Sequence, residues 1–253
     1  MALDGANVPT STTAGHRGPT GRGGRVTGRS APPVLPPALR ACLGLVALLA
    51  TLVVVVIGVL YAGHSQPGEV DAWIVAPTAD SVRPPWRNVA LVTDFWGEPA
   101  GAAMLVLAAV TGCLLLRRPR AAVLVVAGAG LTVGTTTLVK SLVGRTIHGP
   151  DNLSYPSGHT AFATALALAV ALLATGLLGL GRTAGTALVL GAALVAGAAM
   201  GWAQVALSAH YPTDVLGGWC TALAMVPTTA WLIDRTADRH ARRTADAGQR
   251  EAH

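Results

Sequence analysis

Two short segments hold most of the residues that could do chemistry: Pro156-Ser157-Gly158-His159 and His210-Tyr211-Pro212-Thr213-Asp214. Each opens a long hydrophobic run. Ser157 is a favourable helix N-cap, and Gly158 permits close backbone approach. The first N–H groups of a helix have no internal partners and carry the positive end of its dipole, so a helix starting here offers an anion site. His159 falls in its first turn, facing whatever binds there. In the second segment a four-residue step brings His210 and Asp214 together if the chain is helical or tightly turned. A carboxylate on one imidazole nitrogen fixes the tautomer and leaves the other nitrogen free as a nucleophile or base. Lys140 lies near the outer end of a third hydrophobic run and can clamp a phosphate oxygen. Arg145 and His148, in the loop that follows, are expected to add to that clamp. Taken singly, each piece also has a structural reading: an ordinary loop-to-helix turn, a carboxylate matched to a helix dipole, a snorkelling lysine. Taken together, they are the equipment for attacking a phosphate ester.

The elements that must position these groups are membrane helices. Of the 253 residues 52% are hydrophobic and 12% charged, and apolar stretches recur at the length that spans about 30 Å of hydrocarbon. Six spans are expected, near 41–63, 99–116, 121–143, 159–179, 184–206 and 214–233. The fold class is therefore all-α, a six-transmembrane helical bundle; no alternating ten-residue pattern suggests a β-barrel. Gly130-x3-Gly134 and Gly197-x3-Gly201 have the small-residue spacing that lets helices pack closely. Residues 1–38, rich in Gly, Thr, Pro and Arg, read as a disordered tail. Residues 39–234 form the helical domain, and 235–253 a charged tail that frays into solvent. The basic region before the first span is longer than that of a signal peptide, and the apolar run is long enough to span. The 64–98 segment carries Trp73, Trp86 and Trp96 with a helix start at Pro84-Pro85, and is expected to form one or two short interfacial helices flanking a lipid access path.

Arginine outnumbers lysine seventeen to one, a bias that points to a GC-rich bacterial genome and isolates Lys140 as unusual. Fourteen arginines fall on one side of a six-span topology: Arg17, Arg22, Arg25, Arg29, Arg40, Arg117, Arg118, Arg120, Arg182, Arg235, Arg239, Arg242, Arg243 and Arg250. By the positive-inside rule both termini are cytoplasmic in the plasma membrane, and 64–98, 144–158 and 207–213 face outward with the site. The net charge of +6 thus belongs to tails beside anionic lipid, and no nucleic-acid module is present. Cys42, Cys113 and Cys220 fall inside spans, unsuited to a disulfide or a metal site. No metal-ligand cluster and no cofactor motif are visible, and no feature specifies an oligomeric state.

The order and spacing of these residues resemble the type 2 phosphatidate phosphatase superfamily, the membrane lipid phosphatases related to bacterial acid phosphatases and vanadium haloperoxidases. The resemblance covers roughly residues 85–233. The family's middle motif is matched in full by Pro156-Ser157-Gly158-His159, the third in part by His210-Tyr211-Pro212-Thr213-Asp214, and the first at Lys140 with Val143-Gly144-Arg145. Two family arginines are replaced: the position seven after the lysine is Ile147, followed by His148 in place of proline, and the serine-arginine of the third motif is Ala203-Gln204. One preorganised donor to a developing oxyanion is typically worth about 3–4 kcal/mol, so two lost without replacement would slow the reaction on the order of 10⁴-fold.

The resemblance implies an integral membrane phosphatase acting, without a metal, on a phosphatidate-like or isoprenyl phosphate or diphosphate at the outer face. His210 would attack phosphorus and form a phosphohistidine, Asp214 would support the imidazole, and His159 would protonate the leaving oxygen. Lys140, Arg145, Ser157 and the N–H of Gly158, with His148 alongside, would hold the non-bridging oxygens. The alternatives are a non-catalytic lipid-phosphate binder or transport partner on the same fold, for which Ile147 and Gln204 speak, and a lipid phosphotransferase.

Overall fold

A computed structural model describes residues 32–250. The expectation of a disordered tail over 1–38 falls mostly on residues outside that range. Eight α-helices follow in order: α1 (Arg40–Leu60), α2 (Glu69–Ser81), α3 (Trp86–Phe95), α4 (Pro99–Leu115), α5 (Pro119–Val143), α6 (Gly158–Leu178), α7 (Arg182–Ala206) and α8 (Pro212–Arg250). No strand is present among the described residues; one isolated bridge joins Thr146 to Leu153.

Local sequence explains most of the boundaries. Proline opens α4 and α5 in the first turn, where its missing N–H is not needed. Gly144 (φ 64°) and Gly179 (φ 60°) close α5 and α6 in the left-handed conformation that glycine adopts without penalty. Ser157 caps α6, its Oγ accepting the Thr160 N–H at 3.4 Å.

Among the described residues five helices are long and apolar enough to cross a membrane: the one spanning Pro37–Leu60, and α5, α6, α7 and α8. This is a multi-pass membrane protein. The helix expected at 99–116 is present as α4 (Pro99–Leu115), and with α3 it makes up the sixth candidate span. α4 passes only together with α3, from which it bends by 62°. Pro99 supplies no N–H and Gly97 and Glu98 break the helix just before it, so the chain turns there. The bend carries Asp94 and Glu98 to the site.

α6 lies at the centre, packed against α5, α7 and α8, while α1 packs on α8. The core runs through Leu43, Leu124, Leu168, Leu172, Val189 and Val226. Outside it, Leu45, Leu48, Leu52 and Val59 of α1 are exposed, as a helix bordered by lipid requires. The two glycine pairs behave differently. A Cβ at Gly197 would run into Trp219 and one at Gly201 into Val215, so this pair does hold α7 close to α8. A Cβ at Gly130 or Gly134 would meet nothing within 4 Å, so that pair packs no helix among the described residues.

α8 also outruns the expected end of its span. It continues from Asp234 to Arg250 as one helix, in which Ala and Arg favour helix and no proline intervenes after Pro227. At this end of the bundle Asp234 is buried, accepting the N–H groups of Val34 and Leu35 at 2.9 Å each and facing Arg120 at 3.5 Å.

Candidate active site

At the other end of the bundle, the loop after α7 delivers His210 and the first turn of α8 delivers Asp214. His210 is buried, with Nδ1 3.7 Å from Asp214 Oδ2, a contact longer than a hydrogen bond. Catalytic hydrogen bonds are often this loose before substrate binds. Burial lowers the affinity of the imidazole for a proton, with the Lys140 and His159 charges acting in the same direction and the Asp214 carboxylate opposing them. The ring is therefore biased toward its neutral, nucleophilic form.

Asp214 is itself held from behind. Its Oδ2 accepts the Tyr211 N–H at 3.0 Å, and its Oδ1 accepts Arg145 Nη1 at 2.7 Å. Arg145 Nη2 donates to Asp71 Oδ2 at 2.6 Å, and all three charged side chains are fully buried. The guanidinium lies 4.1 Å from the Tyr61 ring centre and 4.6 Å from that of Tyr211, a favourable cation–π arrangement. Asp71 also accepts the Thr213 N–H at 2.9 Å and the Thr213 hydroxyl at 2.8 Å.

Arg145, expected to clamp substrate phosphate, is placed by these contacts between two carboxylates. Both of its terminal nitrogens are committed to buried carboxylates, and its charge is compensated before any ligand arrives. In the sequence Asp71 is only one of several acids in the first outer loop. Its place in α2, which packs against α7 and α8, makes it the inner anchor of that helix.

His159 occupies different surroundings. It stands in the first turn of α6 with its side chain 27% exposed. Its Nε2 lies 3.4 Å from Glu98 Oε1 and 3.7 Å from Asp94 Oδ1, without a hydrogen bond to either. Gly97 makes the approach possible, because a Cβ there would collide with the imidazole. Gln204, at the position of a family arginine, donates its amide to Asp94 Oδ1 at 2.6 Å. The ligand atoms of Asp94, Glu98 and His159 lie within 4.8 Å of one another, a spacing that suits a shared proton or a cation. From sequence neither acid has a role and no such cluster is visible, because nothing local says that His159 of α6 packs beside the α3–α4 bend.

The remaining candidates divide. Lys140 is half-buried and donates to the Leu153 carbonyl at 2.8 Å, close enough to His210 for its charge to be felt there. Ser157 is fully buried as the α6 cap, its hydroxyl shared with Thr160, so its contribution is to the helix end rather than to a free donor. The N–H groups of Gly158 and His159 precede the first intrahelical bond and sit at the positive end of α6. His148 is exposed, and its Nε2 contacts the Ser208 carbonyl at 2.6 Å, so it ties the 144–157 loop to the loop carrying His210. Ile147 is buried, its N–H bonded to the Asn152 carbonyl. Ser157 N–H donates to the Asp214 carbonyl at 2.9 Å, which locks the two motif segments together. A Cβ at Gly218 would strike the Ser157 carbonyl, so glycine is what lets α8 come this near.

A polytopic helical bundle with paired histidines, a supported carboxylate and a helix N-terminus at one end defines a class: membrane enzymes of phosphate esters. The PAP2 superfamily profile matches residues 39–237, and the chain belongs to that superfamily, at the level of the family a group of lipid phosphatases. No curated protein matches the sequence significantly. The fold is similar to the crystal structure of the first transmembrane PAP2 type phosphatidylglycerolphosphate phosphatase from Bacillus subtilis. The TM-score is 0.59 with 18% identity, covering 76% of this chain and 96% of that one.

Proposed function

We propose that the protein hydrolyses a lipid phosphate or diphosphate through a phosphohistidine. The observation that carries this is the asymmetric pair of histidines: His210 buried against a braced carboxylate, His159 half-open on a helix N-terminus. His210 Nε2 attacks phosphorus, and the bond to the leaving oxygen breaks as His159 delivers its proton to that oxygen. A water then cleaves the phosphorus–nitrogen bond, giving a proton to His159 and returning His210 to its neutral form. Lys140 and the N–H groups of Gly158 and His159 face the non-bridging oxygens. Asp214 supports the positive charge that the His210 ring gains.

The substrate tail lies in the bilayer, so recognition rests largely on the head group. Phosphatidate-like lipids and isoprenyl phosphates or diphosphates are the substrate class. The site faces the extracytoplasmic side and the termini the cytoplasm, because the arginine-rich ends of the helices gather at the opposite end. A cysteine placed at the exposed Asp151 should react with an impermeant reagent in intact cells; reaction only after lysis would reverse the orientation.

The deciding experiment is orthophosphate release from a panel of lipid phosphates by the purified full chain, with His210→Ala as control. Release by the wild type and not by the variant supports the reading. A specific observation favours a second one: Arg145 is paired internally with two carboxylates and Ile147 and Gln204 add no charge, which leaves Lys140 as the cation whose charge reaches His210. Saturable lipid-phosphate binding with no phosphate release would identify a binder on this fold. Exchange of the phosphoryl group between lipids without free phosphate would identify a transferase.

A further inference from the structure

The end of the bundle opposite the histidines carries a second feature. There α1 and α8 leave between them an apolar groove of about 560 Å³, open on the lipid side, with Leu35, Gly44, Leu48, Pro227 and Trp231 in its wall. It extends along α1 from Arg40 to Thr51. That length is about 16 Å at the helical rise, close to the depth of one leaflet in a core of about 30 Å. Arg40 and Trp231 also line an adjoining cavity of about 270 Å³, which continues onto Arg235, Arg239 and Arg242.

These three arginines and Trp231 share one face of α8, spaced four, four and three residues apart. Arg235 lies 4.8 Å over the Trp231 ring. Asp234 and the half-exposed Asp238 line the same cavity, but their ion pairs are with Arg40 and Arg120 and not with the stripe. Asp234 is turned inward onto two backbone N–H groups and Arg120, with Arg40 at 4.0 Å. Asp238 faces Arg120 at 3.6 Å. Among the described residues Arg235, Arg239 and Arg242 are exposed and have no carboxylate in ion-pair range.

We propose that this is a binding site for an anionic glycerophospholipid. One acyl chain fills the groove between α1 and α8, and the head-group phosphate rests on the guanidinium stripe. A planar guanidinium matches phosphate oxygens in pairs, and a basic stripe continuing from a membrane span attracts anionic lipid. Phosphatidylcholine carries the same phosphate, but its choline cation cancels that charge and would be set against three arginines. The site does not depend on the catalytic reading, since none of its residues belongs to the histidine end.

The test is thermal unfolding of the full chain in detergent, titrated with phosphatidylglycerol, with phosphatidylcholine of the same acyl chains, and with glycerol phosphate. Phosphatidylglycerol should raise Tm saturably, as a ligand of the folded state does, and the other two should not. The variant R235Q/R239Q/R242Q should bind phosphatidylglycerol about 100-fold more weakly, roughly one factor of five per arginine. Gly44→Leu fills the groove from a position whose Cβ meets nothing within 4 Å, so it should fold normally and lose the same response. Equal stabilisation by phosphatidylcholine would overturn the head-group assignment. A response to glycerol phosphate alone would overturn the acyl-chain groove. Absence of any response in the wild type, or a response that survives the triple variant but disappears in His210→Ala, would overturn the site.

Discussion

The two histidines of the site sit in opposite kinds of surroundings. His210 is sealed, and behind it runs a buried relay in which Asp214, Arg145 and Asp71 compensate one another. His159 is partly open, and the acids beside it, Asp94 and Glu98, are 24% and 53% exposed. A nucleophile benefits from a fixed direction and a low proton affinity, which burial and a braced carboxylate supply. A proton donor must be reprotonated each turnover, which access to water and nearby carboxylates supplies. Arg145 lies between the two carboxylates of Asp71 and Asp214, one positive charge against two negative, and both of its terminal nitrogens are held there.

The sharpest way to break the comparison is to remove each ring. His210→Ala should lower turnover about 10⁴-fold or more and abolish any acid-labile phosphoenzyme, as loss of a nucleophile does. His159→Ala should cost about 10²–10⁴-fold, most for poor leaving groups, and leave the phosphoenzyme detectable. Equal losses for good and poor leaving groups in the His159 variant would mean that it is not the proton donor.

Arg145→Ala should act first on folding. It leaves Asp71 and Asp214 buried without compensation, at a cost of about 3–5 kcal/mol, read as a fall in Tm. Arg145→Lys should recover only part, because a point charge cannot bridge two carboxylates as the planar fork does. A variant with unchanged Tm and a raised KM would return Arg145 to substrate phosphate.

Asp71→Asn keeps the shape of the side chain but removes the charge facing Arg145. It should destabilise by about 1–3 kcal/mol and lower kcat more than it raises KM, since Asp71 meets Thr213 and Arg145 and reaches His210 only through them. An unaltered kcat would show that the outer helix α2 is bound to the site without bracing it.

The smallest effect is the pH profile. Burial lowers the His210 pKa, so the ring stays neutral to lower pH than an ordinary histidine. The acid limb of kcat/KM assigned to His210 should then lie below about 6.5. Asp214→Asn removes the charge that opposes burial and should move that limb lower still, alongside its loss of rate. A limb above the ordinary value would mean that Asp214 outweighs burial.

Much of the scaffold was legible because its signals are local. Apolar runs of spanning length, prolines at helix starts and glycines at helix ends act within a turn of where they occur, and α5, α6 and α7 follow them closely. The Ser157 cap and the four-residue step from His210 to Asp214 are local too. The breaks in legibility are equally physical. The α3–α4 break has a local cause in Gly97 and Pro99, but that it sets Asp94 and Glu98 beside His159 is decided by packing. The glycine pairs had the same spacing, yet Gly197 and Gly201 meet α8 while Gly130 and Gly134 meet nothing, because spacing does not say which face a neighbour occupies.

By itself the sequence determined that this is a helical membrane protein with two motif-bearing helix ends on one side, since hydrophobic length, capping and periodicity are properties of contiguous residues. Only the tertiary structure decided the partners of the charges. Arg145 meets Asp71 across 74 positions and Asp214 across 69, and Gln204 meets Asp94 across 110. A buried charge takes whichever opposite group the packed helices bring within reach, and that choice is made by the bundle as a whole.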